Sequence, residues 1–105
     1  GALAGLLMDT DGIAVDSYAR DGVDLDIQLV GMHISSILKD IRRTAEELDT
    51  GGMREVSIQS EKVTTLVRTV TPEYYVAIAM SAEGNYGKGR FLLRLTIPKL
   101  LDFLA

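Results

Sequence analysis

Between Asp24 and Leu48 the residues Ile27, Val30, Ile34, Ile37, Ile41, Ala45 and Leu48 recur at steps of three and four. That spacing predicts one long amphipathic helix with a continuous apolar stripe. Asp24 is placed to cap it, Asp26 supplies an acid to the first turn, and Thr50-Gly51-Gly52 supplies the stop. Gly31 and Ser35, four apart beside the stripe, leave room for another stretch of backbone to come close. At roughly 100° per residue, a second group of Leu25, Leu29 and Met32, continued by Ser36, falls nearly opposite the first. A helix lying on its own sheet needs one stripe. The second is therefore read as a surface for a partner.

The flanking segments are strand-like. Ala2 to Met8 and Ile13 toward Tyr18 are short apolar runs around Asp9-Thr10-Asp11-Gly12, which reads as a β-hairpin closed by Arg20-Asp21-Gly22. Met53 to Ser60 alternates Val56 and Ile58 with Glu55, Ser57 and Gln59, the pattern of a half-buried strand. Val63 to Val70 is rich in Val and Thr. Tyr75 to Ala82 is apolar on both faces, with Val76, Ile78 and Met80 against the smaller Ala77, Ala79 and Ser81. Double burial predicts a central strand, and its small side predicts a tightly packed helix. Glu83 to Gly89 reads as a glycine-rich loop, and Phe91 to Leu104 as a helix that Pro98 kinks or restarts. The order is β-β-α-β-β-β-α, an α+β domain spanning residues 1–105 without an internal linker.

Composition removes several functional classes. Lys plus Arg number 11 and Asp plus Glu 15, a net charge of −4, so the chain lacks the basic footprint of a nucleic-acid binder. No cysteine is present, which removes thiolate metal sites and a cysteine nucleophile and fits a cytoplasmic setting. No apolar run is long enough to span a bilayer, and no signal-peptide pattern opens the chain.

The chemically suggestive motifs each have a plainer explanation. Gly84-Asn85-Tyr86-Gly87-Lys88-Gly89-Arg90 sits where a phosphate loop would, but Gly89 stands in place of the Ser or Thr that holds magnesium. Asp9, Asp11 and Asp16 lack the spacing of a calcium loop, and aspartate is an ordinary turn residue. His33 is the only histidine, and Ser35 and Ser36 lie at poor helical spacing for it to activate them. No catalytic group, metal site or cofactor is expected. Lys39, Arg42 and Arg43 form a basic group on the long helix, suited either to solvent or to an acidic partner.

The run Gly5-Leu6-Leu7-Met8-Asp9-Thr10-Asp11-Gly12-Ile13-Ala14-Val15, with the tail Gly87-Lys88-Gly89-Arg90-Phe91-Leu92-Leu93-Arg94 ahead of Ile97-Pro98-Lys99-Leu100, resembles the roadblock/dynein light chain family in its bacterial, MglB-like branch. The resemblance covers nearly the whole chain. It implies a profilin-like, five-stranded antiparallel sheet with helices packed on it. It also implies a non-enzymatic homodimer that regulates or holds a small Ras-like GTPase. Members usually begin with a helix before the first strand, whereas this sequence opens directly in the strand; a helix either missing or trimmed away there implies an uncovered part of one sheet face. The resemblance places Met53 to Ser60 at a sheet edge beside the long helix. The expected dimer or partner interface therefore comprises Leu25, Leu29, Met32, Ser36, Lys39, Arg43, Arg54, Val56 and Ile58. Asp at positions 29 and 32 is expected to yield a folded monomer. The alternative is a small-molecule sensor of the PAS/GAF kind, which needs a ligand cavity; the alanines of the central strand argue against one.

Overall fold

The computed structural model describes residues 2–22, 26–82 and 86–104. Strands β1 (Ala2–Asp9) and β2 (Ala14–Ala19) form the first hairpin, and helix α1 (Ile27–Glu47) follows. Strands β3 (Glu55–Gln59), β4 (Val63–Thr71) and β5 (Tyr74–Ser81) form a meander, and helix α2 (Tyr86–Leu104) ends the description. The sheet order is β2-β1-β5-β4-β3, with every neighbouring pair antiparallel. This is the expected element order, with β5 central and β3 at an edge.

Period-two alternation divides the core between the two faces of the sheet. Leu6, Met8, Val67, Tyr75 and Ala77 meet Ile34 and Leu38 of α1. Leu7, Leu66, Val70, Val76 and Met80 meet Leu93 of α2. The turn between β1 and β2 is closed by its own side chain: Asp9 Oδ1 accepts from the Asp11 and Ile13 amides at 2.9 and 3.0 Å. Gly12 takes a positive φ of 82° there, which a β-carbon would disfavour. Asp9 thus serves the turn, in line with the plainer reading of the aspartates.

Four local expectations are corrected. The cap of α1 is Asp26, whose side chain accepts from the Leu29 amide, so Asp26 precedes the first turn rather than lying in it. Asp24 and Leu25 lie outside the described residues. At the other end the left-handed position belongs to Asp49, φ 54°, not to a glycine. The Asp49 and Thr50 amides return to the Glu46 and Ala45 carbonyls at 3.2 and 3.1 Å, which completes a Schellman motif before Gly51 is reached.

The buried side of α1 is also rotated from the expected stripe. Gly31, Ser35 and Leu38 are buried with Ile34, while Ile37 and Leu48 are 44% and 68% exposed. The cause is tertiary. The β1–β2 turn settles on Gly31, where a β-carbon would stand 2.9 Å from the Gly12 carbonyl oxygen. Ser35 Oγ donates to the Thr10 carbonyl at 2.6 Å. This is the close backbone approach that Gly31 and Ser35 were expected to permit. Finally, α2 starts at Tyr86 and passes unbroken through Pro98, so Gly87 to Arg90 are helical rather than loop. At Gly89 the flexible Met80 thioether lies in the space that a β-carbon would take.

Candidate functional site

The expected interface residues fall on two surfaces. Leu29 and Met32 are 50% and 61% exposed, and Ser36, Lys39 and Arg43 are exposed with them. All five lie on the side of α1 turned away from the sheet. Arg43 reaches Asp40 at 3.5 Å, both side chains in solvent, a pair of little energetic weight. Leu25 lies outside the described residues.

Arg54, Val56 and Ile58 belong to the second surface, the free edge of the sheet at β3. Val56 and Ile58 are half-buried and pair with Val67 and Thr65. Val56 packs against the core under α1. Arg54 is exposed, and its carbonyl accepts from the Thr69 amide at 3.0 Å. Between the two surfaces lies the flank of α1 that carries Val30, Ile37, Ile41 and Leu48. Its Val30 and Ile34 wall a hollow of about 280 Å³ floored by Ala4, Gly5, Ala77 and Ala79 and bordered by Val63 and Thr65. The small residues of β5 therefore leave space beneath α1 instead of drawing the helix tightly onto the sheet. That corrects the packing expected of them. Two short side chains cannot reach a helix that the β1–β2 turn already props up at Gly31.

The basic group on α1 is divided as well. Arg42 turns inward, its guanidinium 4.7 Å from the centroid of the Tyr75 ring. Its Nη1 donates to the Pro72 carbonyl at 3.2 Å. It is a clamp on the β4–β5 turn, and only Lys39 and Arg43 of the three are exposed. Burial pushes the Tyr75 hydroxyl above its ordinary range, with the Arg42 charge pulling the other way.

On the opposite face, the sequence reading missed an ion cluster. Glu55 accepts from Arg68 Nη1 at 3.1 Å and from Arg90 Nη2 at 2.7 Å, so its carboxylate ties β3 to β4 and to the first turns of α2. The alternation of β3 already turned Glu55 away from Val56, but no local signal paired it with residues 13 and 35 positions on. On the same face a groove of about 460 Å³ lies between β2 and α2, with Leu7, Val76 and Ile78 in its floor and Tyr18 and Lys99 on its walls. Among the described residues, that part of the sheet face is open.

The remaining chemical candidates are accounted for or dispersed. Ser35 is engaged by Thr10, and His33 and Ser36 are exposed. The glycine-rich segment begins in residues 83–85, outside the description, and continues as helix. Among the described residues no three His, Asp or Glu side chains converge on one point, and no helix is long and apolar enough to cross a membrane.

No family model matches the chain, and no curated protein matches it. Solved structures do. MglC from Myxococcus xanthus is 45% identical over 94% of this chain and 83% of that one, with a TM-score of 0.64. Myxococcus xanthus MglB is 12% identical over 98% of this chain and 83% of that one, with a TM-score of 0.90. A Roadblock/LC7 domain from Streptomyces avermitilis is 16% identical over 98% and 85%, with a TM-score of 0.86. The last two share the fold; the first shares the sequence as well.

Proposed function

The chain belongs to the bacterial roadblock family, and from that premise we propose that it is a non-enzymatic, homodimeric scaffold that binds a small Ras-like GTPase and modulates its cycle. The observation that carries the reading is the pairing of an open strand edge with an apolar helix flank on one side of the molecule. β3 ends the sheet, its Val56 packs with Val30 against the core under α1, and Ile37 and Leu48 of α1 are exposed. Unpaired strand edges beside exposed apolar side chains are closed most simply by a second copy of the same surface.

The dimer uses the β3 edge and the α1 flank, and the outer face of α1 remains for the GTPase, so Asp at positions 29 and 32 is expected to weaken GTPase binding and leave the dimer intact, in place of the monomer expected from the sequence. Leu29 and Met32 form the apolar centre of that face, and Lys39 and Arg43 its charged rim. GTPase binding comes from the family resemblance, and so does the cytoplasmic location. Any effect on hydrolysis works by shaping the partner's own site, since the described residues bring no catalytic constellation together. One asymmetric GTPase seated across the two-fold axis excludes a second, so the expected stoichiometry is one GTPase per dimer.

Light-scattering mass tests the first half and co-purification across nucleotide states the second. A mass of 11.4 kDa at micromolar concentration removes the dimer. Failure to recover any GTPase in any nucleotide state removes the partner. The hollow under α1 favours a small-molecule sensor instead. Its 280 Å³ sits just below the usual range of ligand pockets, about 300–1,000 Å³. A rise in melting temperature with a metabolite or nucleotide mixture would support that alternative.

A further inference from the structure

On the α1 side of the sheet the side chains shrink toward the start of the helix. Tyr75 faces Met8. Along the same face Ala77 stands between Leu6 and Val67, and then Ala79 stands between Ala4 and Thr65. The last row therefore offers two methyl groups and one threonine. A helix could close such a gap by tilting onto the sheet. α1 is prevented from doing so by the β1–β2 turn. At Gly31 a β-carbon would already stand 2.9 Å from the Gly12 carbonyl oxygen, and Ser35 is tied to the Thr10 carbonyl.

The hollow of about 280 Å³ is the space left over. The buried Ala4, Leu6, Ile34 and Ala77 close its inner end, and the half-buried Val30, Val63, Thr65 and Ala79 mark its open side. Among the described residues of the lining, Thr65 carries the one polar side chain. Its hydroxyl has no hydrogen-bond partner among the described residues. Water gains little in such a space, because a held water needs roughly two to four polar partners. Left empty, the hollow forfeits dispersion contacts along its whole lining.

We infer that the hollow is a binding site for a medium-chain aliphatic acid. The chain lies between the alanine row and α1, where each buried methylene favours the bound state. The carboxylate stays at the open side, accepts from the Thr65 hydroxyl and keeps the rest of its hydration, so no bare charge is buried. The volume sets the length. A dry apolar cavity of about 150 Å³ takes benzene, so one of this size admits a body about twice as large, a chain of roughly eight to ten carbons. An occupant braces the first turns of α1, which carry Leu29 and Met32 on their outer side. The site lies within a single chain, so it goes beyond the scaffold reading and does not depend on it.

Sodium octanoate below its micellar range is the probe, followed by methyl carbon–proton spectra of the full chain. Saturable shifts are expected at the methyls of Ala4, Ala79, Val30 and Val63, and none at Ile13 or Leu48, which are exposed elsewhere. Ala79→Leu fills the hollow with protein. It is expected to raise the melting temperature and to weaken octanoate by at least about tenfold, since ligand and leucine compete for one space. Thr65→Val keeps the shape and deletes the hydroxyl. It is expected to weaken octanoate by about two- to tenfold and to leave the binding of xenon, which has no oxygen to offer, unchanged. No saturable shift at the lining methyls of the wild type, or shifts spread equally over Ile13 and Leu48, overturns the assignment whether or not either variant folds. An octanoate affinity that both folded variants leave unchanged overturns it as well. Light-scattering mass on the same samples separates this site from the scaffold. A fall in mass caused by Ala79→Leu makes the hollow part of a contact between copies and overturns the ligand reading. A monomeric wild type that binds octanoate at the lining removes the dimer and keeps the site.

Discussion

Gly31 is the residue on which the position of α1 turns. A helix interior normally gains about 1 kcal/mol when glycine becomes alanine. Here the new β-carbon would meet the Gly12 carbonyl oxygen at 2.9 Å and the Leu6 side chain at 3.4 Å, and a backbone oxygen in a tight turn cannot retreat cheaply. Overpacking of this kind costs about 1–3 kcal/mol, so Gly31→Ala is expected to lower the denaturation midpoint despite the better helix former. Gly52→Ala is the control: nothing lies within 4 Å of its β-carbon position, and the midpoint should hold. Tyr75 gives a pH-dependent counterpart. Its folded pKa is raised above the ordinary 10.0 by burial, so the native state holds the phenol proton more tightly than the unfolded chain does. That contribution is fully present below pH 10 and is lost as pH rises through the folded value. Tyr75→Phe is expected to reduce the alkaline loss of stability measured by denaturant titration between neutral pH and pH 11. An unchanged alkaline slope would assign that loss to other groups.

The two edge strands carry opposite instructions. β3 has no proline, and its outward backbone groups lie at alternate residues of a regular ladder. β2 is bulged, and Asp16 caps the Ser17 amide. Asp16→Ala is therefore expected to uncover a second pairing edge and to add a concentration-dependent increase in mass beyond the wild-type species, seen by light scattering. If the variant keeps the wild-type mass up to millimolar concentration, the bulge alone guards that edge. The same element-level view explains the division of α1. One side packs on the hairpin turn through Gly31 and Ser35, the flank toward β3 stays exposed at Ile37 and Leu48, and the outer side presents Leu29 and Met32.

For the whole molecule, the separation of these surfaces predicts separable phenotypes. Lys39→Glu combined with Arg43→Glu reverses charge on the outer face only. It is expected to slow association with a cognate GTPase severalfold at low salt, with a smaller effect at high salt, because rim charges act mainly on encounter. The mass of the double variant should equal that of the wild type. Unchanged association at low salt would move the GTPase to another face, while a change in mass would tie Lys39 and Arg43 to the dimer contact. Stopped-flow association and light scattering on the same preparation read the two outcomes independently.

Much of this was legible in the chain itself. The hairpin around Asp9 to Gly12, the helix from the recurrence of Ile27, Val30, Ile34 and Ile41, the half-buried alternation of Val56 and Ile58 and the central place of β5 all follow from turn chemistry and periodicity. These signals are local and act before any long-range contact forms. The tertiary structure decided the rest. It rotated α1 so that Leu38 is buried and Leu48 is not, because the β1–β2 turn occupies the space over Gly31. It withdrew Arg42 from the basic group onto Tyr75, bound Glu55 to Arg68 and Arg90, and left a hollow where alanines had implied close packing. Each of these depends on groups that meet only when strands distant in sequence take their places in the sheet, and no period or spacing along the chain encodes that meeting.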